Sequence, residues 1–360
     1  MKNIVFFVER LSTGGAERVV STLANEFSKI KEFDVFVVTY LKKEVKEYPL
    51  SENVHRIEIM EPNSGRFSTI HNKYLQIKRI IKEIKPYCVF SLAIPKTNVI
   101  LMAALWKRNF PLIISERNDP SRFPVEKNIR ILRNFVYKKC EGLVFQTPGA
   151  RDYFLDMLKC KTTVIPNPIS KSLPNRYDGI RENRIVNFCR IEPQKNIKLL
   201  IDAFSIICDE LFDYTLEIYG EGSQKKELEQ YVNQKNLKDR IIFHGYSSNI
   251  HEKIIKAGLF VSSSNYEGIS NSMLEAMSIG IPTICTDCPP GGAKSVIDNG
   301  ENGFLVPVGE AQKMAESISL VLKDKDLQDR LSINASKLSL RLQPEVIAKK
   351  WVDFMEGVRK

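Results

Sequence analysis

The longest uninterrupted apolar run of this 360-residue chain, Val99–Trp106, has eight residues, far short of the ~20 that cross a bilayer. A membrane-spanning helix is therefore not expected. A secretory leader is not expected either, because Glu9 and Arg10 follow Ile4–Val8 at once and cut off the apolar region. That opening reads as a buried first strand. Cysteine is sparse: seven residues, an odd number, scattered from Cys88 to Cys288. This excludes a disulfide-stapled scaffold and fits a reduced, cytoplasmic chain. The four histidines (His55, His71, His244, His251) have no metal-ligand spacing, and Cys285-Thr286-Asp287-Cys288 lacks the second pair or histidine partner that structural zinc requires. No metal is expected. The Cys-x-x-Cys segment reads as a loop at the rim of a cleft. Repeats, low-complexity tracts and long linkers are also missing.

What is present is enough apolar residue, 43%, to bury two cores and to exclude a disordered chain. Lys and Arg number 53 against 43 Asp and Glu, a formal charge of +10. The excess is not spread evenly. Residues 1–170 hold 28 basic and 17 acidic side chains, a net of +11, and the remainder is near neutral at −1. Two stretches concentrate the charge. Arg66–Lys85 sets Ile70, Tyr74, Ile77, Ile81 and Ile84 at helical spacing among Lys73, Lys78, Arg79, Lys82 and Lys85. Lys127–Lys139 places Ile131, Leu132, Phe135 and Val136 on one side, with Arg130, Arg133, Lys138 and Lys139 elsewhere. Basic amphipathic helices lie on anionic headgroups or bind phosphates. They serve equally as surface helices whose apolar stripe packs on their own domain.

Short β-rich runs alternate with helical patterns along the whole chain. Strands are predicted over 4–8, 35–39, 54–59, 87–92, 112–115, 143–146 and 163–165, and helices over 15–30, 68–85, 96–107, 127–139 and 148–158. After Ile165-Pro166-Asn167-Pro168 and a polar, proline-containing stretch the alternation restarts. Strands follow over 185–189, 215–219, 241–244, 259–262, 283–286 and 304–306, with helices over 197–208, 224–234, 249–256, 271–279, 312–322 and 326–338. A last helix begins at Pro344. This predicts an α/β chain of two doubly wound, Rossmann-like domains facing a shared cleft: residues 1–170 and 171–343, with helix 344–360 packing back on the first. In such sheets ligands sit where strand ends feed helix N-termini.

Three segments at such places carry chemistry. Ser12-Thr13-Gly14-Gly15-Ala16-Glu17-Arg18 follows the first strand and opens a helix, so backbone N–H groups approach a phosphate; the same glycines also make a simple tight turn. Arg190-Ile191-Glu192-Pro193-Gln194-Lys195-Asn196 follows the first strand of the second domain. There a planar fork and a point charge bracket one turn, suited to a diphosphate. Tyr266-Glu267-Gly268-Ile269-Ser270-Asn271 leads into a helix that carries Glu275, eight residues after Glu267. Free N–H groups of that turn suit phosphate oxygens, and carboxylates accept from hydroxyls.

Taken together, Glu267 with Glu275, Arg190 with Lys195, Gly14-Gly15, Ile165-Pro166-Asn167-Pro168 and Asn299–Val306 resemble glycosyltransferase family 4 over nearly the whole chain. The start Gly14-Gly15-Ala16-Glu17-Arg18 is similar to the branch that builds bacterial surface glycans and lipid-linked oligosaccharides. The resemblance implies the glycosyltransferase-B fold and retaining, metal-independent transfer from a nucleotide-sugar. It implies that Arg190 and Lys195 hold the diphosphate, that Glu267 meets the donor sugar and Glu275 the ribose. Gly268, Ile269, Ser270 and Asn271 would contact phosphate and sugar, Gly245 and Tyr246 would lie near the base, and Gly14 and Gly15 would close over the diphosphate. Glu17, Glu116 and Arg117 fall in the acceptor-side cleft. Arg117 stands where many members carry a histidine, and an arginine is no general base near neutral pH.

The expectation is a retaining hexosyltransferase that moves a hexose or N-acetylhexosamine from a UDP-linked donor to a polyprenyl-diphosphate-linked glycan. It needs no cofactor, binds no nucleic acid, and is cytoplasmic and peripheral at the inner face of the membrane. Lys78, Arg79, Lys82, Arg130 and Arg133 are expected to meet headgroups or the acceptor diphosphate. The alternatives are a nucleotide-sugar epimerase of similar architecture and a non-enzymatic basic membrane- or nucleic-acid-binding protein.

Overall fold

Every strand among the described residues pairs in parallel with its neighbours, in two separate sheets. The structure, a computed structural model, describes residues 1–12, 14–60 and 66–359, with the backbone alone at 66–68. Thr13 of the first glycine motif lies outside the described residues. The chain divides into one unit of Met1–Pro168 with Pro344–Lys360 and another of Ile169–Gln343.

The first unit runs β1 (Lys2–Val8), α1 (Gly15–Phe27), β2 (Phe33–Thr39), β3 (Val54–Glu58), α2 (Arg66–Ile84), β4 (Cys88–Ser91), α3 (Pro95–Ala104), β5 (Leu112–Glu116), α4 (Lys127–Tyr137), β6 (Gly142–Phe145), α5 (Pro148–Asp152) and β7 (Lys161–Val164). The sheet order is β3-β2-β1-β4-β5-β6-β7. The central strands are continuous apolar runs because helices cover both faces. Ile4, Val5, Phe6 and Phe7 of β1 and Val89 and Phe90 of β4 are fully buried. Strand order reverses between β1 and β4, so the loops after these two strands open a crevice.

The second unit runs β8 (Glu182–Phe188), α6 (Ile197–Ile207), β9 (Thr215–Tyr219), α7 (Lys225–Gln234), β10 (Ile241–Gly245), α8 (Ile250–Ile254), β11 (Ala257–Ser262), α9 (Asn271–Ser278), β12 (Thr283–Thr286), β13 (Phe304–Val306), α10 (Ala311–Lys323), α11 (Lys325–Ser336) and α12 (Leu338–Arg341). Its order is β10-β9-β8-β11-β12-β13, which reverses between β8 and β11.

The last helix, α13 (Pro344–Arg359), belongs to the first unit. Trp351 is 1% exposed and meets Phe90 edge-on at 5.5 Å. Glu356 takes hydrogen bonds from Lys2 at 3.0 Å and the Tyr87 hydroxyl at 2.9 Å. A buried tryptophan of this kind contributes about 3–5 kcal/mol.

Two helices depart from their sequence pattern. The helix expected over 326–338 stops at Ser336, and α12 starts separately at Leu338. The helix expected over 148–158 ends at Asp152 and gives way to a 3-10 turn at Leu155–Met157. No helix among the described residues is long and apolar enough to cross a membrane.

The basic helices part company in their packing. On α2 Ile77, Ile80 and Ile84 turn inward and are buried, while Ile70 and Leu75 stay about half exposed. Lys78, Arg79 and Lys82 are exposed, Lys78 over the Tyr74 ring and Arg79 paired with Glu83 at 2.9 Å. On α4 the buried residues are Arg133, Val136 and Tyr137. The expectation that Arg133 faces headgroups or a diphosphate is therefore overturned. Its side chain is wholly buried. It donates to the carbonyls of Pro120 (2.9 Å) and Phe123 (2.6 Å) and lies over the ring of Phe154. Those acceptors, with Glu116 at 3.8 Å, compensate a charge that burial alone would expel. Arg130 is half-buried and donates to the Ser121 carbonyl.

Candidate functional site

Two loops of the second unit meet at the reversal of its strand order. The loop after β8 carries Arg190 and Lys195, and the loop after β11 carries Glu267. They are laced together. Asn265 N–H donates to the Gln194 carbonyl at 2.9 Å, Ser263 Oγ to the Lys195 carbonyl at 3.0 Å, and Asn196 Nδ2 to Asn265 Oδ1 at 2.9 Å. Asn196 has a left-handed backbone (φ 44°) and caps α6 through its side chain, which accepts from Leu199 N–H. Asparagine is among the few side chains that accept both roles.

Within this frame Lys195 Nζ contacts Glu267 Oε2 at 2.5 Å, with only 12% and 20% of the two side chains exposed. Gln194 Nε2 donates to the same carboxylate oxygen at 3.2 Å and to the Tyr266 carbonyl at 2.9 Å. Burial pulls the Lys195 pKa down, but the Glu267 charge outweighs it and holds the ammonium above its ordinary value. Lys195 is thus charged throughout the neutral range. The Arg190 side chain is exposed and makes no hydrogen bond or ion pair among the described residues, while its carbonyl accepts from Glu192 N–H at 2.9 Å.

Helix α9 starts where this loop ends. Ser270 caps it, accepting from Met273 N–H, so the Gly268–Asn271 amides stand at the positive end of the helix. Glu275 is 4% exposed one turn further in, and its Oε2 is 2.8 Å from His251 Nε2 on α8. A hydrogen bond from Gly220 N–H to the Gly245 carbonyl, 2.8 Å, joins the loop after β9 to the end of β10. Gly245 has φ +72°, and Tyr246 beside it is 67% exposed. Beneath the Glu267 turn a cavity of about 10 Å³, room for one water, is lined by Glu267, Gly268, Ser264 and the two cysteines Cys285 and Cys288. Both cysteines are buried; Cys285 lies in β12, not on a loop, and Cys288 in the loop that follows it. Burial pushes the Cys288 thiol up to about 11 and Cys285 higher still, so neither is a nucleophilic thiolate.

The first-unit candidates lie by themselves after β1 and at the end of β5. The Glu17 carboxylate lies over Gly14, where an added Cβ would meet Oε2 at 1.9 Å. Gly15 opens α1. Glu116 is buried, accepting from the Tyr137 hydroxyl at 2.9 Å and from the Arg117 and Asn118 amides. Burial raises its pKa against the pull of Arg133 and these hydrogen bonds. Arg117 donates to Ser115 Oγ and Asn167 Oδ1. Burial lowers its guanidinium to about 10, opposed by Glu116 and Glu17, so it stays cationic near pH 7. Among the described residues no group of three or more His, Cys, Asp or Glu side chains is placed to hold a metal.

Sequence reasoning passed over three residues here. The sequence shows Gln194 only as part of a turn, and His251 only as one of four histidines without metal-ligand spacing. Glu9 was read as the residue that ends an apolar run, yet it accepts from Ile94 N–H and Thr97 Oγ1 at the start of α3. Their partners lie 73, 24 and 85 or more positions away, so no local signal reveals them.

Comparison with known proteins adds the following. The model of the family described as Glycosyltransferase Family 4 matches residues 13–173, and that of Glycosyl transferases group 1 matches residues 179–338. A relative in Campylobacter jejuni, named as an N-acetylgalactosamine-N,N'-diacetylbacillosaminyl-diphospho-undecaprenol 4-alpha-N-acetylgalactosaminyltransferase, is 24% identical over 99% of this chain and 100% of its own. A second from the same organism, an alpha-1,4-N-acetyl-D-galactosaminyltransferase named for an undecaprenol-linked acceptor, is 27% identical over 100% of this chain and 99% of its own. Among solved structures, HepE of Anabaena in complex with UDP and glucose superposes with a TM-score of 0.83, 19% identity, and coverage of 99% and 100%.

Proposed function

The chain belongs to glycosyltransferase family 4, and from that membership we propose that it is a retaining, metal-independent hexosyltransferase. It transfers a hexose or N-acetylhexosamine from a UDP-sugar to a polyprenyl-diphosphate-linked glycan at the inner, cytoplasmic face of the membrane. The observation that carries this reading is the Lys195–Glu267 contact across the β8/β11 reversal, a fixed cation and a fixed carboxylate at the point where such sheets bind nucleotides.

The second unit holds the donor. The diphosphate lies against Lys195, the exposed Arg190 and the amides of Gly268, Ile269, Ser270 and Asn271. These groups stabilise the charge that develops as the C1–oxygen bond to the phosphate breaks. The acceptor hydroxyl attacks from the face the diphosphate is leaving, and the departing phosphate oxygen takes its proton. Glu267 orients the donor through its sugar hydroxyls. Glu275 accepts from the ribose hydroxyls, and Gly245 and Tyr246 flank the base. Arg117, cationic at neutral pH, holds an acceptor oxygen. Lys78, Arg79, Lys82 and Arg130 contribute positive charge toward lipid headgroups.

A panel of UDP-, GDP- and ADP-sugars tests the donor side. A UDP-sugar is expected to raise the thermal midpoint, because a ligand at 100 times its Kd adds about 2.7 kcal/mol to folding. No protection by any UDP-sugar contradicts the reading. Consumption of the sugar with no acceptor present points instead to an epimerase.

His251 gives a second expectation. If it steadies Glu275 for the ribose, His251→Ala raises the donor KM about tenfold, the cost of one charged hydrogen bond, while kcat holds. His251→Gln, which keeps a donor, restores most of the difference. A fall in kcat with KM unchanged contradicts that role.

A further inference from the structure

Helix α4 turns its arginine in and its apolar side chains out. Ile131, Leu132 and Phe135 are 70%, 42% and 48% exposed. Phe135 stacks on Trp106 just beyond α3, ring centroids 6.3 Å apart and planes 7° off parallel. Trp106 is itself 55% exposed. Residues three and four apart share a helix face, so Ile131, Leu132 and Phe135 with Trp106 make one apolar strip. Water has no use for such a strip on an isolated soluble surface.

Four lysines surround it. Lys107 adjoins Trp106, Lys127 lies one turn before Ile131, and Lys138 and Lys139 follow Phe135 by three and four positions; all four are exposed. None makes an ion pair among the described residues. The acids nearby are already engaged: Glu126 with Lys96 at 2.8 Å and Glu141 with Arg108 at 2.7 Å. A shallow depression of about 210 Å³ beside Trp106 is lined also by Met102, Arg108, Lys139 and Glu141. A helix flat on the surface, with aliphatic and aromatic side chains between flexible lysines, fits the boundary between headgroups and acyl chains. Each lysine there adds attraction to anionic lipid.

We propose that Trp106, Ile131, Leu132 and Phe135, ringed by Lys107, Lys127, Lys138 and Lys139, form the surface by which this protein docks on an anionic bilayer. Helix α2 buries Ile77, Ile80 and Ile84 against its own unit and contributes mainly charge. The inference rests on the reading of a lipid-linked acceptor and specifies how the enzyme reaches it.

The chain has two tryptophans, and Trp351 is buried, so Trp106 reports on insertion almost alone. With vesicles of phosphatidylglycerol and phosphatidylcholine, its emission is expected to shift to the blue and to be quenched by brominated acyl chains. Pure phosphatidylcholine vesicles should give a weaker response, and Trp106→Phe should abolish it. Ile131→Ser with Phe135→Ser, both solvent-facing, should lower the vesicle-bound fraction by about tenfold or more and leave the thermal midpoint unchanged. Lys138→Glu with Lys139→Glu should lower binding to anionic vesicles only. Absence of the blue shift and quenching in the wild type, or unchanged binding by the serine variant, overturns the proposal. So does concentration-dependent self-association that the serine variant abolishes, which assigns the strip to a second copy. Transfer to a short-chain, water-soluble acceptor separates the two readings. It should be normal in the serine variant, and its absence in the wild type speaks against the proposed function, not against docking.

Discussion

Glu267→Gln and Lys195→Met are each expected to lower sugar transfer by about 10²–10³-fold, the usual cost of removing one preorganised charge from a transfer site. The two side chains are 12% and 20% exposed and in direct contact. Removing either partner leaves the other poorly solvated, so each single variant should also lose about 1–3 kcal/mol of stability, less than a fully buried pair because some water reaches both. The double variant should recover most of that stability and none of the activity. That divergence separates a catalytic pair from a structural one. The Lys195 pKa is raised: burial lowers it, and Glu267 more than offsets the effect. A lysine shifted this way contributes stability fully below about 10.5, lost only as pH rises through the higher folded value. Neither rate nor stability should therefore titrate through Lys195 between pH 6 and 9. Normal turnover in either single variant would overturn the assignment.

Gly292→Ala is expected to be nearly as damaging, though Gly292 is assigned no contact with substrate. An added Cβ would stand 1.5 Å from the Gly268 carbonyl oxygen and 2.5 Å from its carbon. Both are backbone atoms and cannot swing aside. The turn that presents Glu267 is also tied down by a hydrogen bond from Glu267 N–H to the Pro289 carbonyl, 2.9 Å. The strain must move the turn itself, costing about 1–3 kcal/mol and displacing the carboxylate. Thermal protection by the nucleotide-sugar should fall at least about tenfold in apparent affinity. Gly291→Ala is the control. Nothing lies within 4 Å of a Cβ there, but the backbone has φ +89°, so stability should drop by about 1 kcal/mol with transfer retained. Equal behaviour of the two variants would deny Gly292 its role beneath the turn.

The parallel strands were legible because a strand covered on both faces leaves an unbroken apolar run, as at Ile4–Val8 and Leu259–Val261. The site loops were legible for a related reason. Arg190, Lys195 and Glu267 follow such runs directly, and strand ends are where a doubly wound sheet puts its ligands. Partnership across the sheet was not legible. Gln194 reaches Glu267 across 73 positions and His251 reaches Glu275 across a helix boundary, through packing that no local pattern encodes. The division at Lys337 had no signal either, since Leu327, Leu331, Ala335 and Leu338 continue at helical spacing and are all buried.

Helix α4 misled for an instructive reason. Hydrophobicity alone assigns Ile131, Leu132 and Phe135 to the interior and Arg133 to solvent. Arg133 is buried because two backbone carbonyls, Glu116 and an aromatic cluster meet its guanidinium there. Which face turns inward was decided by those partners. The same inversion leaves the apolar strip outside.

The most direct measurement is transfer itself: wild-type protein, a radiolabelled UDP-sugar chosen by thermal protection, and a polyprenyl-diphosphate-linked glycan, with the product read for label and anomeric configuration. Labelled lipid-linked product with the donor's configuration retained, lost in Glu267→Gln, is the predicted result. An inverted linkage, or no label on any acceptor despite donor binding, would contradict it.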